Sequence, residues 1–592
     1  MKIKSFTLSL FTWCALSLSA QTVYYVDAQN GDDANPGTQE QPWATLNGNA
    51  ETWRNSDCTV YLAEGTYDVM FKIVLGGNLE LVGAGVDKVF IQQCNDEDFE
   101  GDRYGNVPYA TAGFFDVSGE KTVKMSNLTI KNLRVGDVEN VSTPYWGGAI
   151  TVQQGSTLQL NTVDFYRCMI PIGGGAGIDC KGSLDLTNVR FTECVASMEG
   201  AAISLAGDAV GKFEGCSFVR NSGTTTIQVY PVETQAEQIC ADLRFNNCYF
   251  ESNDYSAAQY GCGINIGNFY GHKLVFHVTN TTFANNLGNC AGCMFITTNT
   301  SKQRVIDMKV ENCTFMNNAL TADPHGSVYI MNESSSNTLT GDMTFANNTF
   351  YHNNRLEAGK EPVSDLYFTD QSVNLNILNN IFLVKEGLGY GPVFSTDIQN
   401  TKVNFKNNVF DVVGGGNNSM VSAFQETGIQ VGQTADEEEG LEYIDGNTEV
   451  KLETELTFQG AYKAPYLRLQ EGSVAIDAGY NDGGTLIPAL DIRGVGVYNE
   501  KKDVGAYEYD GNSGSGVGLM VSPSLKVVVT NDMNTVTFSE GVSDVKVFGI
   551  NGSMVRHYSS VTSFDVSDWS NGVYILVVTD MEGNISKFKI LR

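Results

Sequence analysis

The residues best placed for chemistry in this 592-residue chain are carboxylates gathered in one stretch. Residues 92–120 interrupt an otherwise regular pattern and contain Asp96, Asp98 and Asp102 close together. Calcium prefers oxygen ligands at this density, although the spacing is not that of an EF-hand. Two interpretations stay open: a calcium-binding loop, or an acidic loop that is simply solvated.

No catalytic constellation emerges from the other reactive residues. A polysaccharide lyase needs a basic side chain and a cation that neutralises the uronate, and a glycoside hydrolase needs two matched carboxylates. Asp164 and Glu193 each lie beside a phenylalanine of the repeat described below, but neither has a counterpart at the same offset in the next copy. The five histidines share no ligand spacing, and Cys290 and Cys293 form a CxxC without a second ligand pair. We therefore expect no catalytic residues, no metal other than the calcium above and no other cofactor.

The elements that carry these residues are copies of one short phrase. Two apolar residues separated by one position are followed by Asn, two further residues and Phe, and the phrase recurs roughly every 31 residues between Leu158 and Phe410. The alternation at period two predicts strands with one buried face, and no window has helical periodicity. Short strands repeated at this interval predict an all-β chain built as a right-handed parallel β-helix solenoid.

Stacked coils place equivalent residues above one another, about 4.8 Å apart. The phenylalanines are therefore predicted to form an internal aromatic ladder. An asparagine ladder is predicted from the residues that precede them: Asn246, Asn247, Asn280, Asn312, Asn347, Asn379 and Asn407.

A glycine-rich motif alternates with the phrase, as in Gly147–Ile150, Gly174–Ile178, Gly200–Ile203 and Gly261–Ile264, and several phenylalanines are followed three residues later by Asn. The two motifs together resemble the repeats of polymorphic outer-membrane proteins and of other pectin-lyase-like β-helices, over roughly residues 140–355. The resemblance implies the fold. Because many such β-helices cleave polysaccharides, it also leaves a polysaccharide lyase or glycoside hydrolase as the alternative to a binding or adhesion scaffold.

The N-terminal residues have the pattern of a secretory signal, with Lys2 and Lys4 before an apolar run, and cleavage is predicted between Ala20 and Gln21. Residues 21–50 resemble the opening cap of pectin-lyase-like proteins, and the β-helix is expected to extend to residue 510. Residues 473–509 resemble the "choice-of-anchor" segment that closes secreted β-helix proteins; Asp477, Asp491, Arg493 and Glu508 in it are interpreted as structural. A flexible linker is predicted at 511–520.

Residues 521–592 are predicted to be a separate small β-sandwich, with Asn-Gly turns at Asn551 and Asn571. Val547-Phe548, Asp565-Val566, Trp569 and the later Lys587 and Lys589 resemble a type A C-terminal sorting domain of type IX secretion cargo. The resemblance implies handling by the type IX machinery, display on the cell surface or release, and attachment to surface lipopolysaccharide.

Composition limits the partners. The net charge of −31 disfavours nucleic acid and anionic surfaces unless a cation bridges them. No stretch after the signal approaches the roughly 20 apolar residues of a membrane-spanning helix. The expected protein is thus exported and displays a β-helix, possible partners being glycans or a host surface.

Overall fold

The computed structural model describes residues 22–591 with gaps. The residues outside the description are 1–21, 70, 94, 97–112, 136–144, 208, 232–238, 258–260, 268–271, 290, 299–302, 322–325, 333–338, 356–364, 370, 384–392, 397–401, 412–440, 445–449, 461, 499–500, 511–526, 530–534, 550–553, 567–568, 570–572, 581–584 and 592. The chain divides into two compact units, residues 1–508 and 509–592.

The first unit is a parallel β-helix, as the repeat predicted. Its largest sheet has 24 described strands, which pair in parallel from coil to coil. The longer run within it consists of β1 (Thr22–Val26), β2 (Cys58–Leu62), β5 (Leu79–Gly83), β8 (Thr122–Arg134), β11 (Thr157–Ile170), β14 (Ser183–Thr192), β17 (Ala209–Glu214), β21 (Ile239–Asn246), β24 (Lys273–Thr279), β28 (Arg304–Glu311), β32 (Leu339–Ala346), β36 (Gln371–Leu378), β39 (Lys402–Asp411) and β40 (Leu441–Ile444). The shorter run consists of β3 (Gly65–Asp68), β6 (Val89–Gln92), β15 (Val195–Ala196), β18 (Ser217–Val219), β19 (Ser222–Gly223), β22 (Tyr249–Glu251), β25 (Thr282–Ala284), β29 (Thr314–Met316), β33 (Thr349–Tyr351) and β37 (Ile381–Leu383).

A second parallel sheet forms another face of the coils. Its eleven described strands are β4 (Ile73–Leu75), β7 (Phe115–Val117), β10 (Ile150–Val152), β13 (Ile178–Cys180), β16 (Ile203–Gly207), β20 (Thr225–Pro231), β23 (Cys262–Ile266), β27 (Met294–Thr298), β31 (Val328–Asn332), β35 (Leu366–Thr369) and β38 (Val393–Thr396). Short ladders join β9 (Tyr145–Trp146) to β12 (Gly173–Gly174), and β26 (Leu287–Gly288) to β30 (Ala319–Leu320) and β34 (Asn354–Arg355). One short helix, α1 (Ala50–Trp53), follows the cap.

The predicted phenylalanine ladder is confirmed. Rings on successive coils stack with centroids 4.5–5.3 Å apart, from Phe165 through Phe191, Phe218, Phe250, Phe283, Phe315 and Phe350 to Phe382. All eight are fully buried in the interior. The strand register that aligns them also aligns the alternating aliphatic residues, so one core runs along the solenoid.

Most asparagines of the predicted ladder lie where the backbone bends between strands. Asn247, Asn280, Asn312, Asn347, Asn379 and Asn407 all have φ between 49° and 57°, a left-handed conformation that asparagine tolerates better than most residues. Some of their side chains link neighbouring coils, as in the 3.1 Å bond from Asn312 Nδ2 to Asn280 Oδ1. Asn246 precedes this row, and its Oδ1 accepts from Asn280 Nδ2 at 2.8 Å.

The continuous buried ladders are formed by other asparagines. In one, each amide Nδ2 donates to the next Oδ1 at 2.8–3.0 Å, through Asn221, Asn253, Asn286, Asn318 and Asn353. These are the residues three positions after Phe. A second buried ladder joins Asn348, Asn380 and Asn408 at 2.9 Å. The sequence predicted that asparagines stack but assigned the ladder to the bends alone.

The described residues of 473–508, which were expected to close the solenoid, pack along the flank of its coils. The amide of Asn379 exchanges two bonds with the backbone of Tyr480, and the amides of Asn312 and Asn407 donate to the carbonyls of Leu490 and Ala478. We call the described residues of 450–508 the flank segment. The bends therefore have a second role, which is to hold this segment.

Among its described residues, the second unit forms a five-stranded antiparallel sheet, which agrees with the all-β character of the small sandwich that was expected. Its strands are β41 (Val527–Val529), β42 (Thr535–Gly549), β43 (Met554–Asp565), β44 (Val573–Asp580) and β45 (Ile585–Leu591). The long strand β42 pairs with β41, β43 and β44, and a separate core forms around Val545, Phe564 and Trp569. The predicted linker at 511–520 lies outside the described residues.

Candidate functional site

One outward row on the second sheet carries polar side chains. In strands such as β7 and β13 the first and third residues enter the core, so the middle residue faces outward. Parallel register aligns these middle residues in the order Asp116, Thr151, Asp179, Ser204, Gln228, Asn265, Phe295, Tyr329 and Tyr367. The row changes from polar to aromatic along the solenoid. Most of its members are nevertheless buried, so it is not an open groove.

Two carboxylates of this row have different surroundings. Lys72 Nζ lies 3.1 Å from Asp116 Oδ2, and Gln153 Nε2 donates to both oxygens of Asp116. Asp179 lies two strands further on, which places its Cα about 9.6 Å from that of Asp116. Burial raises the pKa of Asp179 to about 6, against the opposing effects of Lys181 and of a hydrogen bond with Ser204. Asp116 is thus a carboxylate paired with Lys72, whereas Asp179 keeps its proton to a higher pH than an ordinary aspartate.

A third carboxyl group lies on the coil next to Asp179. The Glu199 carbonyl accepts from Gly175 N at 3.1 Å, and a Cβ at Gly175 would stand 3.0 Å from the Asp179 Cβ. Burial raises the pKa of Glu199 to about 6. The test for paired carboxylates missed Asp179 because it counted offsets from Phe only. The available signal was the glycine-rich motif, since Thr151, Asp179, Ser204 and Asn265 each directly follow its isoleucine.

An open cleft of about 330 Å³ lies at the first coils, between the cap and the outer face of the largest sheet. Tyr25 and Tyr61 occupy equivalent positions on β1 and β2, and their rings stack with centroids 5.4 Å apart. Gln39 and Pro42 of the cap and Asp27 at the end of β1 complete its rim. The cap residues lie beside β1 because Trp43 N donates to Tyr25 O and Trp43 O accepts from Asp27 N.

The exposed ring of Tyr61 results from a change in side-chain size along this row. Val82 on β5 follows Tyr61 in register, and Gly83 and Ala84 come next in the chain. Because valine is much shorter than tyrosine, it covers less of Tyr61 than another tyrosine would, and Tyr61 is 41% exposed. The result is an aromatic surface backed by a second ring, with polar groups at its edge. This cleft was not predicted, although Tyr25 and Tyr61 hold the same place in TVYYV and CTVYL.

The predicted loop site is described only in part. Asp96 accepts from Lys131 Nζ and Asn132 Nδ2, both at 2.8 Å, and these bonds lower the pKa of its carboxyl group. Asp98, Asp102 and the predicted cleavage site at Ala20 and Gln21 lie outside the described residues. Calcium binding by this loop therefore stays a prediction. Among the described residues, no group of three or more His, Cys, Asp or Glu side chains is arranged to hold a metal ion.

The other reactive residues singled out in the sequence have local partners. Asp164 pairs with Arg190, and Glu193 pairs with both Arg167 and Arg220, which links neighbouring coils on the outer surface. Cys293 is fully buried, while Cys290 lies outside the described residues. Both carboxylates therefore pair with arginines of neighbouring coils.

Asp491 and Glu508 of the flank segment are each paired with a buried basic side chain. Arg493 Nε donates to Asp491 Oδ2 at 2.7 Å, and its guanidinium lies over the ring of Tyr507. Lys502 Nζ is 2.8 Å from Glu508 Oε1, with both side chains almost fully buried. Asp477 N donates to Asp503 Oδ1 at 2.7 Å. Such internal pairing fits the structural role given to these residues.

Comparison with known families identifies the second unit. Residues 530–592 match the family described as the secretion system C-terminal sorting domain. This chain carries a C-terminal sorting domain of type IX secretion. The protein is therefore handled by that machinery and exported to the cell surface or beyond it. Within the described part of the chain, no helix has the length and apolar character needed to cross a membrane.

Comparison of the remainder gives only distant similarity. No curated protein matches the chain in sequence. Among solved structures, the A-module of a mannuronan C-5 epimerase from Azotobacter vinelandii is 14% identical, with 62% of this chain and 89% of that chain covered and a TM-score of 0.32. A rhamnogalacturonan lyase is 13% identical, with 65% and 87% covered and a TM-score of 0.33. XylC in complex with xylose is 10% identical, with 82% and 98% covered and a TM-score of 0.35. Similarity at this level carries no information about the activity of this chain.

Proposed function

We propose that this exported β-helix protein binds polysaccharide outside the cell, in the cleft beside Tyr61. The observation that carries the proposal is the exposure of Tyr61 in the cleft, with its ring stacked on that of Tyr25. The negative π face of an aromatic ring attracts the C–H-rich face of a pyranose, as it attracts the positive edge of another ring. A volume of about 330 Å³ lies within the usual range of small-ligand sites.

The β-helix supports this function by making the site rigid. Tyr25 and Tyr61 are borne by paired strands whose adjacent residues Val26, Val60 and Leu62 are buried in the core. A preformed aromatic surface loses little conformational entropy when a ligand binds. A sugar chain extending out of the open cleft would not need to be enclosed, which suits long polymers.

The test compares Tyr61→Ala with Tyr498→Ala, which changes a similarly exposed tyrosine on the flank segment. We expect Tyr61→Ala to weaken binding of the mature protein to its best polysaccharide by about tenfold or more, equivalent to at least ~1.4 kcal/mol. Affinity electrophoresis on a panel of soluble polysaccharides provides the measurement. Equal retardation of both variants and the wild type would remove Tyr61 from the function, provided that their melting temperatures agree.

A second function, glycoside hydrolysis, is favoured by Asp116 and Asp179. Inverting hydrolases place the carboxyl groups of an acid and a base about 6.5–9.5 Å apart, with the pKa of the acid raised. Asp116 and Asp179 stand in one row two strands apart, and the pKa of Asp179 is raised. In such a reaction Asp179 would protonate the leaving oxygen, and Asp116 would accept a proton from water. The burial of both side chains counts against this function and makes it the second choice.

New reducing ends, measured on the same polysaccharide panel, decide between binding alone and hydrolysis. Asp179→Asn should abolish any cleavage, whereas Asp185→Asn, on a strand of the other sheet, should leave it intact. Cleavage that survives in Asp179→Asn would exclude this site. Absence of cleavage by the wild type on every polysaccharide would leave binding as the function.

A further inference from the structure

We infer that the Tyr61 cleft selects neutral polysaccharides and rejects polyuronates. This inference rests on the proposed function, because it names the class of polymer that the same site takes. The evidence for it is the Asp27 carboxylate and the net charge of the chain, which is separate from the evidence for stacking on Tyr61.

A carboxylate that keeps its charge lies on the rim. Asp27 Oδ1 accepts from the backbone N–H groups of Gln29 and Asn30, at 2.9 and 3.0 Å, and its Oδ2 accepts from the Asn30 amide at 3.1 Å. These donors stabilise the ionised form, and the pKa of Asp27 lies below its ordinary value despite partial burial. The rim is therefore negative throughout the physiological pH range.

Among the described residues that line the cleft, no cation balances this charge. They include no Lys, Arg or His, and Asp27 is their one charged member. The whole chain carries a net charge of −31, so the surrounding field has the same sign. A uronate entering the cleft would be repelled by the Asp27 carboxylate and would find no cation in the described lining to bind it.

The expected selectivity follows from Coulomb's law. A sugar carboxylate about 7 Å from Asp27 would be repelled enough to weaken binding between about threefold in bulk-like water and about fiftyfold near a protein surface. A neutral hydroxymethyl group at the same carbon meets no such repulsion and can donate a hydrogen bond to the rim. Added salt should reduce the discrimination, since the cleft is open to solvent.

The experiment uses oligosaccharides that differ only in charge. The mature wild-type protein is titrated calorimetrically with β-1,4-mannohexaose and with β-1,4-mannuronan hexasaccharide, and separately with the matched hexamers of α-1,4-galactan and α-1,4-galacturonan. In the pair that binds, we expect the neutral member to bind at least threefold more tightly. We also expect Asp27→Asn, which keeps the oxygen that accepts from Gln29 and Asn30, to bring the ratio of the two affinities towards one.

The outcomes separate the inference from the function on which it rests. If a uronate hexamer binds as tightly as its neutral counterpart or more tightly, and Tyr61→Ala weakens that binding, the selectivity is wrong while the binding site stands. An affinity ratio that Asp27→Asn leaves unchanged also overturns the inference. If none of the four hexamers binds in a manner that depends on Tyr61, the inference fails, and the polysaccharide panel with Tyr61→Ala decides separately whether the proposed function fails too. If the ratio of the neutral to the uronate affinity decreases when NaCl is raised from 20 mM to 500 mM, the decrease supports repulsion as the cause.

Discussion

At the scale of single residues, Asp365 is the unusual member of an interior ladder of amides. Its Oδ1 accepts from Asn353 at 3.0 Å and from Ser327 at 3.1 Å, in the place where another asparagine would continue the row. Its Oδ2 is buried without a hydrogen-bond partner among the described atoms. Burial raises the pKa of Asp365 to about 8, so the folded protein holds a proton there that the unfolded chain releases near pH 4.

We therefore predict that Asp365→Asn stabilises the protein increasingly as pH rises from about 4 to about 8. The native pKa lies above the unfolded one, so the stability of the wild type falls through this window, by at most ~1.4 kcal/mol per pH unit, and levels off above it. The neighbouring Cys293 thiol does not titrate there, because burial raises its pKa well above the usual value. Urea unfolding at pH 5, 7 and 9 measures the effect.

The control is Asp342→Asn, which changes an exposed aspartate on the outer surface and should give nearly the same difference at each pH. An advantage of Asp365→Asn that is equal at pH 5 and pH 9 would show that Asp365 is ionised in the folded protein.

The phenylalanine ladder gives a second prediction at this scale. Phe315 is fully buried between Phe283 and Phe350, with centroids 5.3 and 4.5 Å away. Phe315→Ala should cost about 3–5 kcal/mol in the free energy of unfolding, through lost burial and the cavity that remains. Phe71→Ala, at a side chain that is 76% exposed, should change it by about 0.5 kcal/mol or less. Matching urea midpoints for the two variants would contradict an interior ladder.

At the scale of elements, the bend asparagines join the coils to the flank segment. Asn379 has φ of 54°, and its side chain donates to Tyr480 O at 2.7 Å and accepts from Tyr480 N at 2.8 Å. The residue therefore satisfies a backbone conformation and a packing contact together. Glycine could supply only the conformation, and alanine could supply neither.

We predict the stability order wild type, Asn379→Gly, Asn379→Ala, from highest to lowest. Loss of the three side-chain hydrogen bonds, the third being from Asn379 Nδ2 to Asn347 Oδ1 at 3.2 Å, should cost about 1.5–4.5 kcal/mol in both variants, and the left-handed conformation should cost the alanine variant about 1–2 kcal/mol more. Chemical denaturation gives the order, and limited proteolysis reports whether the flank segment is released first. An alanine variant as stable as the glycine variant would show that the bend does not constrain the residue.

The sequence predicted the strands of the largest sheet well and those of the second sheet poorly. Alternation before each Phe fixes a strand, its buried face and its register, because a one-residue shift would expose Phe315 and its equivalents. The second sheet was missed because its strands are as short as Phe115–Val117, too short to show a period. Tyr61 was missed for another reason: its exposure depends on Val82 in the next coil, and the sequence alone does not give the pairing between them.

At the scale of the whole molecule, the β-helix and the sorting domain are separate compact units. The β-helix has its own core and flank segment within residues 1–508, and the second unit has a separate core. We predict that deletion of residues 521–592 leaves a folded β-helix retained in the periplasm, because the sorting domain at 530–592 is lost.

Cell fractionation with antibodies to each half measures this outcome. The mature surface or medium form of the full chain should be shorter by about the mass of the sorting domain. Unchanged export after the deletion, or a surface form that retains the C-terminal residues, would contradict the separation of roles.

The most direct test of the whole account measures polysaccharide binding by intact cells. Cells that produce the full chain, the Tyr61→Ala variant or the Tyr498→Ala variant are incubated with a fluorescent neutral polysaccharide, and surface fluorescence is divided by the surface amount of each protein. The account predicts strong binding for the full chain and Tyr498→Ala, and a loss of about tenfold or more for Tyr61→Ala. Equal binding by all three, at equal surface amounts, would contradict it.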